Sequence, residues 1–127
     1  MERMFTLREA RDVLVEIRPE VAALIDVRAE LATKAHLHNC GTDVSIPEIK
    51  ALEAQMGELL DGLRARGLQV KGYAPLLLDL PANVGDEVVD LCWLEGEDEL
   101  GWFHDPEVGF MGRRRLADLS IEGATGG

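Results

Sequence analysis

The sequence predicts an α+β fold, an antiparallel two-helix hairpin packed with a small three-stranded antiparallel β-sheet. In the first half, apolar residues recur every three or four positions, the spacing of one helix face. In the second half, short apolar runs and alternating apolar residues are typical of strands. At 127 residues the chain has the length of a single domain. We expect a helical hairpin over 5–67, the sheet and a C-terminal loop over 71–116, and a frayed tail over 117–127.

The first predicted helix begins at a capping box. Thr6 and Glu9 stand three positions apart, so each side chain can bond the backbone N–H of the other. An apolar stripe at heptad spacing follows, formed by Leu7, Ala10, Leu14, Ile17, Val21, Leu24 and Leu31. Because proline lacks an N–H and clashes with the preceding turn, we predict that this long first helix is kinked, or restarts, near Arg18 and Pro19. It is expected to end between His36 and Gly41, where Gly41 suits a C-terminal cap.

The second predicted helix has an equally clear start and end. Ser45 and Glu48 form another capping box. A matching apolar stripe follows, formed by Ile49, Leu52, Met56, Leu59 and Leu63. Gly67 stands where a left-handed residue commonly terminates a helix. Because the loop between the two helices is short and polar, they are predicted to lie antiparallel.

Three segments of the second half are predicted to be strands. The run over 76–80 is apolar and is expected to end at Pro81. Apolar residues alternate over 88–93, which indicates a strand with one strongly apolar face. A glycine-containing acidic loop at 95–98 then predicts a hairpin, with 100–104 as the returning strand.

Composition and charge narrow the partners that the chain can have. The net charge of −11 repels nucleic acid and anionic membranes, so we expect neither as a partner. No segment approaches the ~20 apolar residues that span a bilayer, and the start lacks a signal-peptide core. Cys40 and Cys92 are expected to be reduced thiols, although a disulfide between them is an alternative. These features together predict a cytoplasmic protein.

The stretch 102–116, WFHDPEVGFMGRRRL, holds the main candidates for chemistry. His104 is expected to share a strand face with Trp102, and a neutral imidazole can serve as a general base or a metal ligand. The carboxylates that can join it belong to Asp105, Glu107 and Glu97. The competing interpretation is structural: a half-buried His104 bonded to the backbone, with Asp105 and Pro106 forming a turn.

Two further groups are weaker candidates. Arg113 and Arg114 can bind a carboxylate or phosphate anion by paired hydrogen bonds, or they can neutralise neighbouring acids of this chain. The segment 36–40, HLHNC, contains three residues of zinc- or copper-ligand type. No second ligand pair stands at zinc-finger spacing from it, so chance proximity is the favoured interpretation.

Four stretches of the chain follow the order FTLREA, KGYAPLLLDLPA, LCWLEGE and WFHDPEVGFMGRRRL. With their motifs FTLxEA, CWxxGE and WxHDxxxGFxGRR, they resemble an uncharacterised bacterial family, the domain of unknown function numbered two-two-zero-three. The residues at its motif positions are Asp79, Pro81, Trp93, Gly96, Glu97, His104, Asp105, Gly109, Phe110, Gly112 and Arg113. The family brings no established activity. The resemblance implies that His104, Asp105 and Glu97 are the best candidates for a shared site.

Two functions are compatible with these features. The first is a non-enzymatic interaction module that forms a homodimer or binds a protein partner, because apolar residues on several sides of the first helix need covering. The second is a protein that binds a metal or a small ligand near His104. A hydrolase is one form of this hypothesis, in which a divalent ion at that place activates water. The sequence contains no nucleophile elbow, phosphate loop, dinucleotide fingerprint or zinc-protease helix, so it favours the first.

Overall fold

A computed structural model describes residues 3–41 and 45–118 and shows an α+β fold. Its helices are α1 (Leu7–Glu16), α2 (Arg18–Asn39) and α3 (Ile46–Ala65). Its strands are β1 (Gln69–Tyr73), β2 (Leu76–Val84), β3 (Glu87–Leu94), β4 (Trp102–His104) and β5 (Arg114–Arg115). The α+β class is confirmed, whereas the predicted count of two helices and three strands is wrong. From residue 119 onward, the predicted tail lies outside the described residues.

The chain divides into two compact units. The sheet unit comprises Met1–Glu16 and Arg64–Gly127, and the helical unit comprises Ile17–Leu63. No helix of the described residues is long and apolar enough to cross a membrane.

The interruption that was predicted near Pro19, as a kink or a restart, is a restart, so the long first helix is divided into two helices. The helix α1 ends at Glu16, and α2 begins at Arg18 with Pro19 in its first turn. In a first turn, the missing proline N–H costs no intrahelical hydrogen bond. A break at Ile17, two residues before the proline, therefore accommodates Pro19 better than a kink within a continuous helix. The backbone N–H of Val21 donates to the carbonyl of Ile17 at 2.9 Å, so Ile17 contributes the first carbonyl of α2.

The predicted helix ends are confirmed. The N–H of Thr6 donates to Oε1 of Glu9 at 2.9 Å, and the N–H of Glu9 donates to Oγ1 of Thr6 at 3.0 Å. Before α3, the N–H of Glu48 donates to Oγ of Ser45 at 3.3 Å. After α3, Gly67 adopts a φ of 93°, a left-handed conformation that favours glycine.

The helical unit has the arrangement that a hairpin of α2 and α3 requires. Nζ of Lys34, late in α2, lies 3.5 Å from Oε2 of Glu48 in the first turn of α3. This ion pair brings the end of α2 beside the start of α3. The residues of these helices that are buried are Leu24, Val27, Leu52, Met56 and Leu63.

The five strands form one antiparallel sheet in which each strand pairs with the next along the chain. The strand β2 continues through Pro81, where we predicted its end. Phe5 explains the difference: its N–H donates to the carbonyl of Pro81 at 2.8 Å, and its carbonyl accepts the N–H of Asn83 at 3.0 Å. Because the N and the C=O of one strand residue point to the same edge, the missing N–H of Pro81 faces Phe5. The pairing of β2 with β3 is therefore uninterrupted.

Strands β1 and β5 escaped prediction because neither carries a strand-like apolar pattern. The sequence of β1, QVKGY, is mostly polar, and its register with β2 shifts between Val70 and Gly72. The strand β5 consists of two exposed arginines. Both strands form by pairing with a more apolar strand, β1 with β2 and β5 with β4. A local sequence pattern does not reveal such pairing.

The sheet has one apolar face and one face that carries polar groups. Alternation along the paired strands puts these buried residues on the apolar face: Leu76, Leu78, Leu80, Ala82, Val84, Val89, Leu91 and Phe103. The helix α1 contacts β2 and buries Ala10, Val13 and Leu14. Asp79, Cys92 and His104 lie on the opposite face.

Candidate functional site

Three polar side chains meet on this second face of the sheet. Asp79 of β2 is directly opposite Cys92 of β3, and Cys92 is directly opposite Trp102 of β4. His104 stands two residues beyond Trp102, so alternation returns it to the same face. One potential ligand atom from each of Asp79, Cys92 and His104 lies within 4.8 Å of the other two. We call these three residues the buried triad, because none is more than 3% exposed.

Hydrogen bonds determine where the protons of His104 lie. Its Nδ1 is 3.0 Å from the backbone carbonyl oxygen of Asp105. A carbonyl oxygen only accepts, so Nδ1 carries a hydrogen and donates. Its Nε2 is 3.0 Å from Oδ2 of Asp79, and that contact needs one proton on either atom. The pair is therefore an imidazolium with a carboxylate, or an imidazole with a carboxylic acid, and it is neutral overall in both cases.

The second carboxylate oxygen of Asp79 has no hydrogen-bond partner among the described residues. Oδ1 is buried, and no group of those residues donates to it. Leaving a buried acceptor unsatisfied costs about 1–3 kcal/mol, and more when the group is charged. Native proteins contain few such groups, and each asks for an explanation such as an unseen ion or water.

Burial keeps the thiol of Cys92 neutral. It raises the pKa of Cys92 from 9.0 to about 12, and the positive charge of Arg113 opposes that rise while the carboxylate of Asp79 adds to it. Cys40, the other cysteine, is exposed, and neither forms a disulfide. The two thiols therefore stand in contrasting environments.

The two cysteines are expected to differ sharply in reactivity. Because the thiolate is the nucleophile, iodoacetamide near about pH 8 should alkylate exposed Cys40 and leave buried Cys92 intact. Mass spectrometry should find one added group on the native protein and two on the urea-unfolded protein. Cys40→Ser is the control, and it should take up none while folded. Rapid alkylation of native Cys92 would contradict this picture.

Stability of the metal-free protein should depend on Cys92 at alkaline pH. The folded pKa is the higher one, so raising the pH ionises this thiol first in the unfolded chain and favours unfolding. Its contribution is complete below pH 9.0 and is lost as the pH rises toward about 12. The loss across that window is at most about 4 kcal/mol. Urea unfolding of the wild type and of Cys92→Ala measures it, because the gap between their midpoints should shrink with rising pH. A constant gap would contradict the raised pKa.

A second cluster on this side of the sheet is built around Arg113. Its Nη2 donates to both carboxylate oxygens of Glu97, at 2.7 and 3.0 Å, and approaches the backbone oxygen of Cys92 at 3.3 Å. The guanidinium also stacks on Trp102 and Phe110, 4.7 and 5.0 Å from the ring centroids. The side chains of Arg113 and Glu97 are 12% and 21% exposed. This cluster joins the C-terminal segment to β3 and β4.

The residues that we predicted to gather around His104 do not do so. The carboxylate of Asp105 accepts the N–H of Glu107 at 2.8 Å, which closes an exposed turn, and only the backbone carbonyl of Asp105 reaches His104. Glu107 is exposed. Glu97 binds Arg113 and accepts the N–H of Leu94 at 2.7 Å. The turn interpretation of Asp105 and Pro106 describes this segment better than the site interpretation.

The predicted anion-binding arginines face groups of their own chain. The carboxylate that Arg113 binds is that of Glu97. The guanidinium of Arg114 stacks on Phe103 at 5.2 Å. In the segment 36–40, Nε2 of His36 lies 3.6 Å from Sγ of exposed Cys40. Within the described residues, only the buried triad brings three metal-ligating side chains together.

Sequence reasoning missed Asp79 and Cys92 as partners of His104. Cys92 was interpreted as a packed strand residue, and Asp79 entered only as a motif position. The sequence did contain a signal for Asp79, because this aspartate interrupts the otherwise apolar run at 76–80. Its pairing with Cys92 depends on the register of β2 against β3, which no local pattern specifies.

Comparison with known proteins identifies a family without supplying an activity. A family model described as "Uncharacterized conserved protein (DUF2203)" matches residues 3–116, which include the buried triad and the Arg113 cluster. No curated protein and no solved structure matches the chain.

Proposed function

Because the chain belongs to this uncharacterized conserved family, whose description assigns no activity, we propose a function from the geometry: a small, cytoplasmic, non-enzymatic module that self-associates as a dimer through its helical unit. The observation that carries the proposal is the group of partly exposed leucines and isoleucines on α2 and α3. Among the described residues of the two helices, those of intermediate exposure are Ile25, Leu31, Ile49, Leu59 and Leu60, and Leu37 and Ile46 are more exposed still.

The position of these residues on the helices supports a helix–helix contact. In α2, Leu31 stands seven residues after buried Leu24 and so lies on the same face. In α3, Leu59 and Leu60 follow buried Met56 by three and four residues. Leu31, Leu59 and Leu60 therefore lie where the buried faces of these helices meet solvent. A second copy of the hairpin would cover both edges, as in a four-helix bundle.

The buried triad supports a non-enzymatic role. Catalytic side chains must reach a substrate, and these three groups are at most 3% exposed. Two free thiols, one of them exposed at Cys40, suit the reducing cytoplasm. If the wild type is monomeric in the test below, the alternative is that a protein partner, in place of a second copy, covers these leucines and isoleucines.

The test is the subunit number of the wild type and of two charge variants in one helix. Leu31→Glu puts a carboxylate on the proposed contact, whereas Ala32→Glu puts the same charge on the exposed side of α2. Native mass spectrometry and light scattering at micromolar concentration should show dimers for the wild type and Ala32→Glu, and a monomer for Leu31→Glu. Circular dichroism should show that all three are equally helical. A monomeric wild type at that concentration would refute self-association.

A further inference from the structure

Beyond self-association, we propose that the buried triad is a closed site for one divalent transition-metal ion, foremost Zn²⁺, bound by His104 Nε2, Cys92 Sγ and the carboxylate of Asp79. The ion would join β2, β3 and β4. Its role is structural, because the three donors lie inside the sheet unit.

The donor set and its spacing suit zinc. Imidazole nitrogen, thiolate sulfur and carboxylate oxygen are the three common zinc ligands, with bonds of roughly 2.0–2.3 Å. A tetrahedral ion with such bonds holds its ligand atoms roughly 3.3–3.8 Å apart. Nε2 and Oδ2 are 3.0 Å apart, and one ligand atom from each of the three residues lies within 4.8 Å of the other two. Side-chain shifts of less than about 1 Å would bring each donor to bonding distance.

The surroundings of His104 already have the form of a metal-binding histidine. Ligating histidines commonly donate their other ring N–H to a carbonyl or a carboxylate, which fixes the ring orientation. Here Nδ1 donates to the backbone oxygen of Asp105 at 3.0 Å. That bond directs the lone pair of Nε2 toward Asp79. The carboxylate of Asp105 accepts the N–H of Glu107 and so closes the turn. The backbone carbonyl of the same residue accepts Nδ1 of His104.

The unpartnered Oδ1 of Asp79 is the independent observation that points to a ligand. Its side chain is 4% exposed, and no group of the described residues donates to this oxygen. A divalent ion beside Oδ2 would also attract Oδ1, which is available for a second bond. An apolar residue would fill the same space without this cost, so the carboxylate is better explained by a cation.

Charge balance allows an ion to enter without a net charge in the interior. The metal-free triad holds two dissociable protons, one on the Cys92 thiol and one shared between His104 and Asp79. Binding of Zn²⁺ forms four bonds, to Nε2 of His104, to Sγ of Cys92 and to both carboxylate oxygens of Asp79, and releases both protons to solvent. Two positive charges leave as one divalent ion enters, so the net charge of the site stays at zero.

Cobalt spectroscopy on a single-thiol protein tests the proposal. The full chain has two cysteines, so Cys40→Ser leaves Cys92 as its only thiol. This protein is unfolded, stripped with chelator and refolded with Co²⁺, because the closed site needs opening. We expect one Co²⁺ per chain, a thiolate-to-cobalt charge-transfer band, visible bands of tetrahedral strength, and loss of all of them when Zn²⁺ displaces the cobalt. Two protons should be released per Zn²⁺ bound, as measured with an indicator in weak buffer.

Variants then assign the ligands. In the Cys40→Ser protein, His104→Gln and Asp79→Asn should each weaken Co²⁺ binding at least tenfold, whereas His36→Gln should leave it unchanged. A wild-type charge-transfer band that vanishes in Cys40→Ser would assign the metal to the exposed 36–40 segment and overturn the proposal. Absence of any band in refolded Cys40→Ser would overturn it too, even if the other variants fail to fold. Subunit number is read separately, so either proposal can fail alone.

Discussion

Replacing Arg113 with methionine is expected to lower the free energy of unfolding by about 3 kcal/mol. The substitution leaves the mostly buried carboxylate of Glu97 with the N–H of Leu94 as its one remaining hydrogen-bond donor among the contacts described above. It also removes the guanidinium from Trp102 and Phe110, each such contact being worth about 0.5–2 kcal/mol. Methionine keeps most of the aliphatic stem, so the loss reports mainly on the charge and the planar group. Urea unfolding followed by tryptophan fluorescence measures it.

Arg115 provides the matched control. Its guanidinium also lies over Trp102, at 5.4 Å, but the residue is exposed. Arg115→Met should therefore cost no more than about 1 kcal/mol, as expected for an exposed cation–π contact. Equal costs for the two variants would show that the pair of Arg113 and Glu97 contributes no more than a surface contact. A cost for Glu97→Gln that adds fully to that of Arg113→Met would lead to the same conclusion.

The features that the sequence predicted well are those that depend on neighbours along the chain. Thr6 and Glu9 cap a helix because they stand three residues apart, and Gly67 ends one because it tolerates a positive φ. The interruption near Pro19 was predicted, but its form was left open, because a proline is compatible with a kink or a restart. The structure shows a restart, with Pro19 in the first turn of α2.

The candidate site depends on distant neighbours, and it was predicted only in part. His104 was identified from its own chemistry and from its place at the end of a strand. Asp79 and Cys92 reach it because β2, β3 and β4 pair in one register, and a shift of one residue would turn each side chain to the other face. Carboxylates close in sequence, such as that of Asp105, were poor guides because a turn uses them first.

Replacing His104 with leucine in the metal-free protein is expected to cost about 3–5 kcal/mol, the usual result of removing one partner from a buried ionic pair. Asp79 would then lose the hydrogen bond between Oδ2 and His104, and its Oδ1 has no partner among the described residues even in the wild type. Adding Asp79→Ala removes the isolated carboxylate, so the double variant should cost at least about 1 kcal/mol less than the sum of the two single variants.

The control for this pair is Asp105→Asn, which alters only the exposed turn and leaves the backbone carbonyl that accepts Nδ1 of His104. Its cost should stay below about 1 kcal/mol. The wild type and all four variants are unfolded in urea with chelator present, so that a bound ion contributes to none of the values. Strict additivity of His104→Leu and Asp79→Ala would show that the two side chains are not coupled in the folded protein. Strong coupling without metal would show that His104 and Asp79 are paired before any ion binds, so that two of the three proposed ligand residues are already in place when cobalt is added.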